Sequence, residues 1–124
     1  MGIATTTLAA AHCRACEGGV GKFTPSQAEE QLVQLSGWRL SAAGTRIRKD
    51  WVVEDFTAGI EFFSLVADLA EAENHHPDLH LEGYRNVWIE LSTHAVGGLS
   101  ENDFILAAKI DRLPIRLRSG VASK

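Results

Sequence analysis

The sequence predicts an α+β domain, one antiparallel sheet with helices over one face. Three observations carry that reading. The apolar positions switch between helical and alternating periods in the order helix, two strands, helix, two strands, helix. Short turns join the strands of each pair, which favours antiparallel neighbours over crossovers. And 124 residues, 45% of them apolar and 23% charged, suit one domain able to bury a core.

The elements follow in order. Residues 1–23 are small, polar and Gly-rich and read as a flexible N-terminal arm. Residues 24–118 form the domain, and 119–124 a C-terminal tail. Thr24-Pro25-Ser26-Gln27 starts the first helix: Thr24 caps, Pro25 suits the first helical position, and Gln27 completes a capping box. Leu32, Val33 and Leu35 give that helix an apolar side, and Gly37 ends it. Residues 38–40 and 45–53 form a hairpin across Ser41-Ala42-Ala43-Gly44, with Ile47, Trp51 and Val53 on its buried face. Asp55 caps a longer helix from Phe56 to about Asn74. Two apolar rows run along it, one of Phe56, Ile60, Phe63 and Ala67, the other of Phe62, Val66 and Leu69, so burial is expected on two sides. One side would meet the sheet and the other a second subunit. Pro77 bars His76 from helical geometry. Residues 79–83 and 87–92 form the second hairpin around Tyr84-Arg85-Asn86, and His94 closes its second strand. Ser100 caps the last helix, with Asp103 three residues on; Phe104, Ala107, Ile110 and Leu113 face inward, and Pro114 stops it.

Charge and composition remove several classes of function. The net charge of −4 leaves no basic stripe for nucleic acid, and Arg46, Arg48 and Lys49 read as the solvated face of one strand. No apolar run is long enough to span a membrane, and residues 1–12 lack the pattern of a secretory signal. Gly2 with Thr6 fits only the loose minimum for myristoylation. Two cysteines are too few for a disulfide framework, so a reducing cytoplasm is the expected compartment. Gly18-Gly19-Val20-Gly21-Lys22-Phe23 is not a P-loop, because Cys16 and Phe23 stand where that motif needs Gly and Ser or Thr.

Three of the five histidines fall within ten residues, Glu71-Ala-Glu-Asn-His75-His76-Pro77-Asp-Leu-His80. At a helix C-terminus the carbonyls favour imidazolium, and Glu71 and Glu73 push the same way. Rings so placed are poised for proton transfer near neutrality. The bland alternative has one histidine closing the helix and the other solvated. His94 lies before Gly97-Gly98, where sites often form. Asp103 is either a plain helix cap or an acceptor that orients His94. A metal on His75, His76, His80 and His94 is the rival use, yet no His-Glu-x-x-His spacing is present. Cys13-x-x-Cys16 beside His12 makes half a zinc site with no evident fourth ligand.

Glu71-x3-His75-His76-Pro77, Tyr84, His94 and Asp103, with Leu91-Ser-Thr-His-Ala-Val-Gly-Gly-Leu-Ser-Glu-Asn-Asp-Phe-Ile-Leu-Ala-Ala-Lys-Ile-Asp111 and the Asp50-Trp51 to Asp55-Phe56 run, resemble the pterin-4a-carbinolamine dehydratases over about residues 24–113. The resemblance implies a four-stranded antiparallel sheet with three helices, in dimers that join sheets and often pair into tetramers. It implies dehydration of 4a-hydroxytetrahydropterin to quinonoid dihydropterin, which restores the pterin after an aromatic amino-acid hydroxylase has used it. No metal or organic cofactor is implied. By the same resemblance His75, His76 and His94 are catalytic, Glu71 and Asp103 support them, and Asn74, Pro77 and Thr93 meet the pterin edge. Asp78-Leu79-His80-Leu81 departs from the family, where an aromatic residue commonly follows His-His-Pro, so the pocket rim is expected to differ. The alternative is a non-catalytic dimerisation or assembly factor of the same fold.

Overall fold

The computed structural model describes residues 2–14 and 21–119. The elements are α1 (Thr5–Ala10), α2 (Pro25–Leu32), β1 (Arg39–Leu40), β2 (Ile47–Val52), α3 (Phe56–Glu73), β3 (Asp78–Glu82), β4 (Asn86–Leu91), a 3-10 turn (His94–Val96) and α4 (Glu101–Ile110). Four antiparallel strands pair in the order β1-β2-β4-β3. Both expected hairpins form, and they join along β2 and β4, where Asp50 faces Trp88.

Alternation decides which side of the sheet is wet. Ile47, Trp51, Val87, Ile89 and Leu91 point into the core. Trp51 meets Trp38 edge-on at 6.0 Å and Phe62 of α3 at 5.1 Å. Lys49 shares that inward face, against the reading that placed it with Arg46 and Arg48 in solvent. The strand period leaves it no choice, and its ammonium donates to Asp111 Oδ1 at 3.0 Å and to the Ser36 carbonyl at 3.2 Å. On the opposite face Arg48 bonds Asp50 and lies over the Trp88 ring, which stacks on His80. A depression of about 290 Å³ lined by Arg39, Arg46, Arg48 and Glu90 lies at that edge. Its arginines are paired with Asp50, Asp78 and Glu90.

The helices depart from the expected reading in two places, α2 and the N-terminal arm. α2 starts with the expected capping box but ends at Leu32, ahead of Gly37, and Val33 is 81% exposed. Ala28 and Gln31 are its buried residues; Leu35, just past its end, is buried as expected, and Leu32 packs partly buried against the core. α3 buries one apolar row, Ala58, Phe62, Val66 and Ala70, while Phe56 and Ile60 of the other row are exposed in the single chain. A Cβ at Gly59 would come within 2.8 Å of Leu81 Cδ1, so the glycine lets α3 lie close against β3. Residues 5–10, read as part of a flexible arm, are helical and pack on α4, with Leu8 buried. α4 is buried along nearly its whole length.

Candidate active site

The end of α3 sets the first histidine. Asn74 adopts a left-handed conformation at φ 52°, and the His75 amide reaches back to the Ala70 carbonyl at 3.1 Å. The Asn74 amide bonds the Glu71 carbonyl, so the helix closes in a Schellman-type turn. Asn tolerates that backbone better than most residues. The turn sends His75 inward, where its Nε2 lies 2.7 Å from Asp103 Oδ1. His75 is 7% exposed and Asp103 has no exposed surface.

Asp103 holds the centre of a buried network. Its Oδ2 accepts from the Ser100 amide at 2.9 Å and from the Thr93 hydroxyl at 2.8 Å. Thr93 and Ser100 hydroxyls also bond each other at 2.7 Å. The two carboxylate oxygens thus divide the labour that the sequence seemed to force on one group: Oδ2 completes the α4 capping box and Oδ1 serves an imidazole. The imidazole is His75, not His94 as the sequence reading offered. Thr93 is fully buried, and its hydroxyl, amide and carbonyl are all bonded within the chain.

His76 turns the other way. Its Nε2 lies 2.5 Å from Glu71 Oε2, and both side chains are exposed. Pro77 is half-buried and Asn74 exposed. His94 opens the 3-10 turn rather than ending a strand, with its side chain exposed. It follows Thr93 directly, so its backbone is one residue from the Asp103 network. His80, on the outer sheet face, lies outside this network, and among the described residues no group of three or more His, Cys, Asp or Glu is placed to hold a metal ion.

Asn102 went unread in the sequence, and Glu73 and Cys13 take parts other than those expected. Glu73 pairs with His12 rather than with His75 or His76, and accepts from the Cys13 amide at 2.7 Å. Burial alone would push its carboxyl up, but that bond, His12 and Lys109 outweigh it and hold the carboxyl below the usual range. Asn102, next to Asp103, bonds the Arg14 backbone through both amide atoms. Burial, then the charges of Glu73 and Asp103, push the Cys13 thiol up to about 12, which keeps it neutral. Cys16, the other half of the Cys-x-x-Cys reading, lies outside the described residues.

A family model described as Pterin 4 alpha carbinolamine dehydratase matches residues 21–113. The chain belongs to that family. Among the dehydratases it resembles, "Pterin-4-alpha-carbinolamine dehydratase 2, mitochondrial" of Arabidopsis thaliana is 50% identical over 95 residues, 75% of this chain and 51% of that protein. The chain therefore spans about half the length of the Arabidopsis relative. A putative pterin-4-alpha-carbinolamine dehydratase of Methylococcus capsulatus is 40% identical over 107 residues, 86% of this chain and 93% of that protein. A solved structure described as a transcriptional coactivator/pterin dehydratase from Brucella melitensis superposes with a TM-score of 0.68 at 30% identity, covering 73% of this chain and 96% of that one. The family is named for a hydro-lyase, and the chain is an enzyme of that class. No helix among the described residues is long and apolar enough to cross a membrane.

Proposed function

We propose that this dehydratase converts 4a-hydroxytetrahydropterin to quinonoid dihydropterin and water by histidine acid–base catalysis. The observation that carries the reading is the pairing of two successive imidazoles with two carboxylates in unlike surroundings. His75 and Asp103 are buried; His76 and Glu71 are exposed. Dehydration needs an acid for the departing C4a hydroxyl and a base for the N5 proton, and unlike environments let identical groups take opposite roles. Asp103 fixes His75 with Nε2–H donating, which leaves Nδ1 to exchange a proton with substrate. His75 and His94 then serve the hydroxyl and His76 serves N5, with Glu71 steadying His76. Asn74 and Pro77 offer backbone to the pterin edge. Thr93, expected at that edge, acts in this reading by ordering Asp103. The product is the form from which the pterin spent by an aromatic amino-acid hydroxylase is regenerated. The working unit is a homodimer or homotetramer, supported by the exposed Phe56 and Ile60 on α3. The compartment proposed is the cytoplasm, on the cysteine count; the Arabidopsis relative is named mitochondrial. The test is the ultraviolet decay of 4a-hydroxytetrahydropterin generated in situ. Protein should accelerate it, and an unchanged decay with folded protein overturns the reading. A second reading, a dimerisation or assembly role on the same fold, has the exposed α3 row and the coactivator half of the Brucella description behind it. It would stand alone if the decay were unaffected.

A further inference from the structure

Residues 9–14 touch both elements that present the His75–Asp103 pair. On the α3 side Glu73, the last helical residue and two before His75, accepts from the Cys13 amide at 2.7 Å and faces His12 Nδ1 at 3.0 Å. Its side chain is only 6% exposed. On the α4 side Asn102, 1% exposed and adjacent to Asp103, accepts from the Arg14 amide at 3.0 Å and donates to the Arg14 carbonyl at 2.8 Å. Lys109 ties the same span from below, donating to the Ala9 carbonyl at 3.0 Å and lying 3.5 Å from Glu73 Oε2. The chain passes α4 again at Phe23, whose amide bonds the Leu99 carbonyl and whose ring stacks on Phe104.

We propose that residues 9–14 form a strap that sets the His75–Asp103 contact, with Glu73 and Asn102 as positioning residues for proton transfer. The end of α3 meets α4 directly through the His75–Asp103 contact and the Glu73–Lys109 ion pair. The strap adds a further connection: Glu73 and Asn102 each grip its backbone, one residue apart at Cys13 and Arg14. Backbone groups have no rotamers to swing through, so the two grips stay within one residue's length of each other. Both gripping groups are buried, so losing a partner leaves a polar atom unsatisfied and favours a shift of the helix end that bears it. A shift of about 1 Å at a proton-transfer pair is enough to cost up to roughly 10²-fold in rate. The inference rests on the reading of His75 as an acid–base group.

The experiment uses the full chain with Glu73→Ala, Glu73→Gln and Arg14→Pro. Arg14→Pro deletes the amide that donates to Asn102 from an exposed position, so it tests the strap even if Glu73→Ala does not fold. Glu73→Ala and Arg14→Pro should lower kcat about tenfold with KM held within about twofold, and Glu73→Gln, which keeps an acceptor for Cys13, should recover most of the loss. The ring 15N signals of His75 should move in both damaging variants while those of His80 stay. His75→Ala is the control. Loss of turnover in His75→Ala with unaltered kcat and unaltered His75 signals in the folded strap variants overturns the strap alone. Full turnover in His75→Ala overturns the catalytic reading, and the 15N signals then decide whether the strap positions the pair.

Discussion

Replacing Asp103 by Asn changes one contact and little else. The carboxylate accepts from Thr93 and Ser100 through Oδ2 and faces His75 Nε2 through Oδ1 at 2.7 Å. An Asn can offer its carbonyl oxygen to Thr93 and Ser100, which leaves its NH2 group toward His75. Nε2 must then accept, the ring proton moves to Nδ1, and the nitrogen assigned to substrate is occupied. A general acid–base group contributes about 10²–10⁴-fold, and the corresponding tautomer swap in the Ser-His-Asp triad lies at the upper end. At 1.36 kcal/mol per decade the barrier should rise by about 3–5 kcal/mol. Stability should fall less, by about 1–3 kcal/mol, since one charge-assisted bond is weakened and two bonds survive. Stopped-flow absorbance of the 4a-hydroxypterin gives the rate, and a denaturant melt gives the stability. Folded Asp103→Asn with kcat within about threefold of the parent at neutral pH would refute the tautomer argument.

Other outcomes follow from the same geometry. His75→Ala and His94→Ala should each slow turnover about 10²–10⁴-fold, and wild-type rates in both would exclude the assignment. Phe62→Ala removes a 1% exposed ring packed on Trp51 and should cost about 3–5 kcal/mol in urea unfolding; a cost under about 1 kcal/mol would contradict the packing. Asp50 has its carboxyl held below its ordinary 3.8, by the Arg48 hydrogen bond first and Arg39 next, against the opposing effect of burial. Its folded value lies below the unfolded one, so its contribution is present above about 3.8 and fades as pH falls through the folded value. Asp50→Asn should therefore cost up to about 1 kcal/mol at neutral pH, with the gap to the parent closing in acid. A gap that widens in acid would reverse the assignment.

The parts of this molecule legible in the sequence are those set by local rules. Thr24 with Gln27, Asp55, and Ser100 with Asp103 marked the starts of α2, α3 and α4, because capping is decided within four residues. The hairpins were legible from alternation and turn residues. What escaped depends on contacts distant along the chain. Pro77 showed that α3 ends, but the direction each ring takes is set by the left-handed Asn74, and the partner of His75 lies 28 residues away. Lys49 sits where alternation puts it, and the sequence gives no sign of the Asp111 carboxylate that receives it. α1 is six residues of Thr, Leu and Ala, too short to hold on its own, and it forms through Leu8 packed on α4.

The near-complete burial of α4 bears on how this enzyme would fail under stress. Amide protons of that helix should be among the slowest to exchange with deuterium, because releasing them requires the sheet, α1 and α3 to come apart together. Asp103 is carried on the segment that opens last. Denaturant should therefore abolish turnover and tertiary structure at one midpoint, without the early inactivation seen where a site is built on loosely held loops.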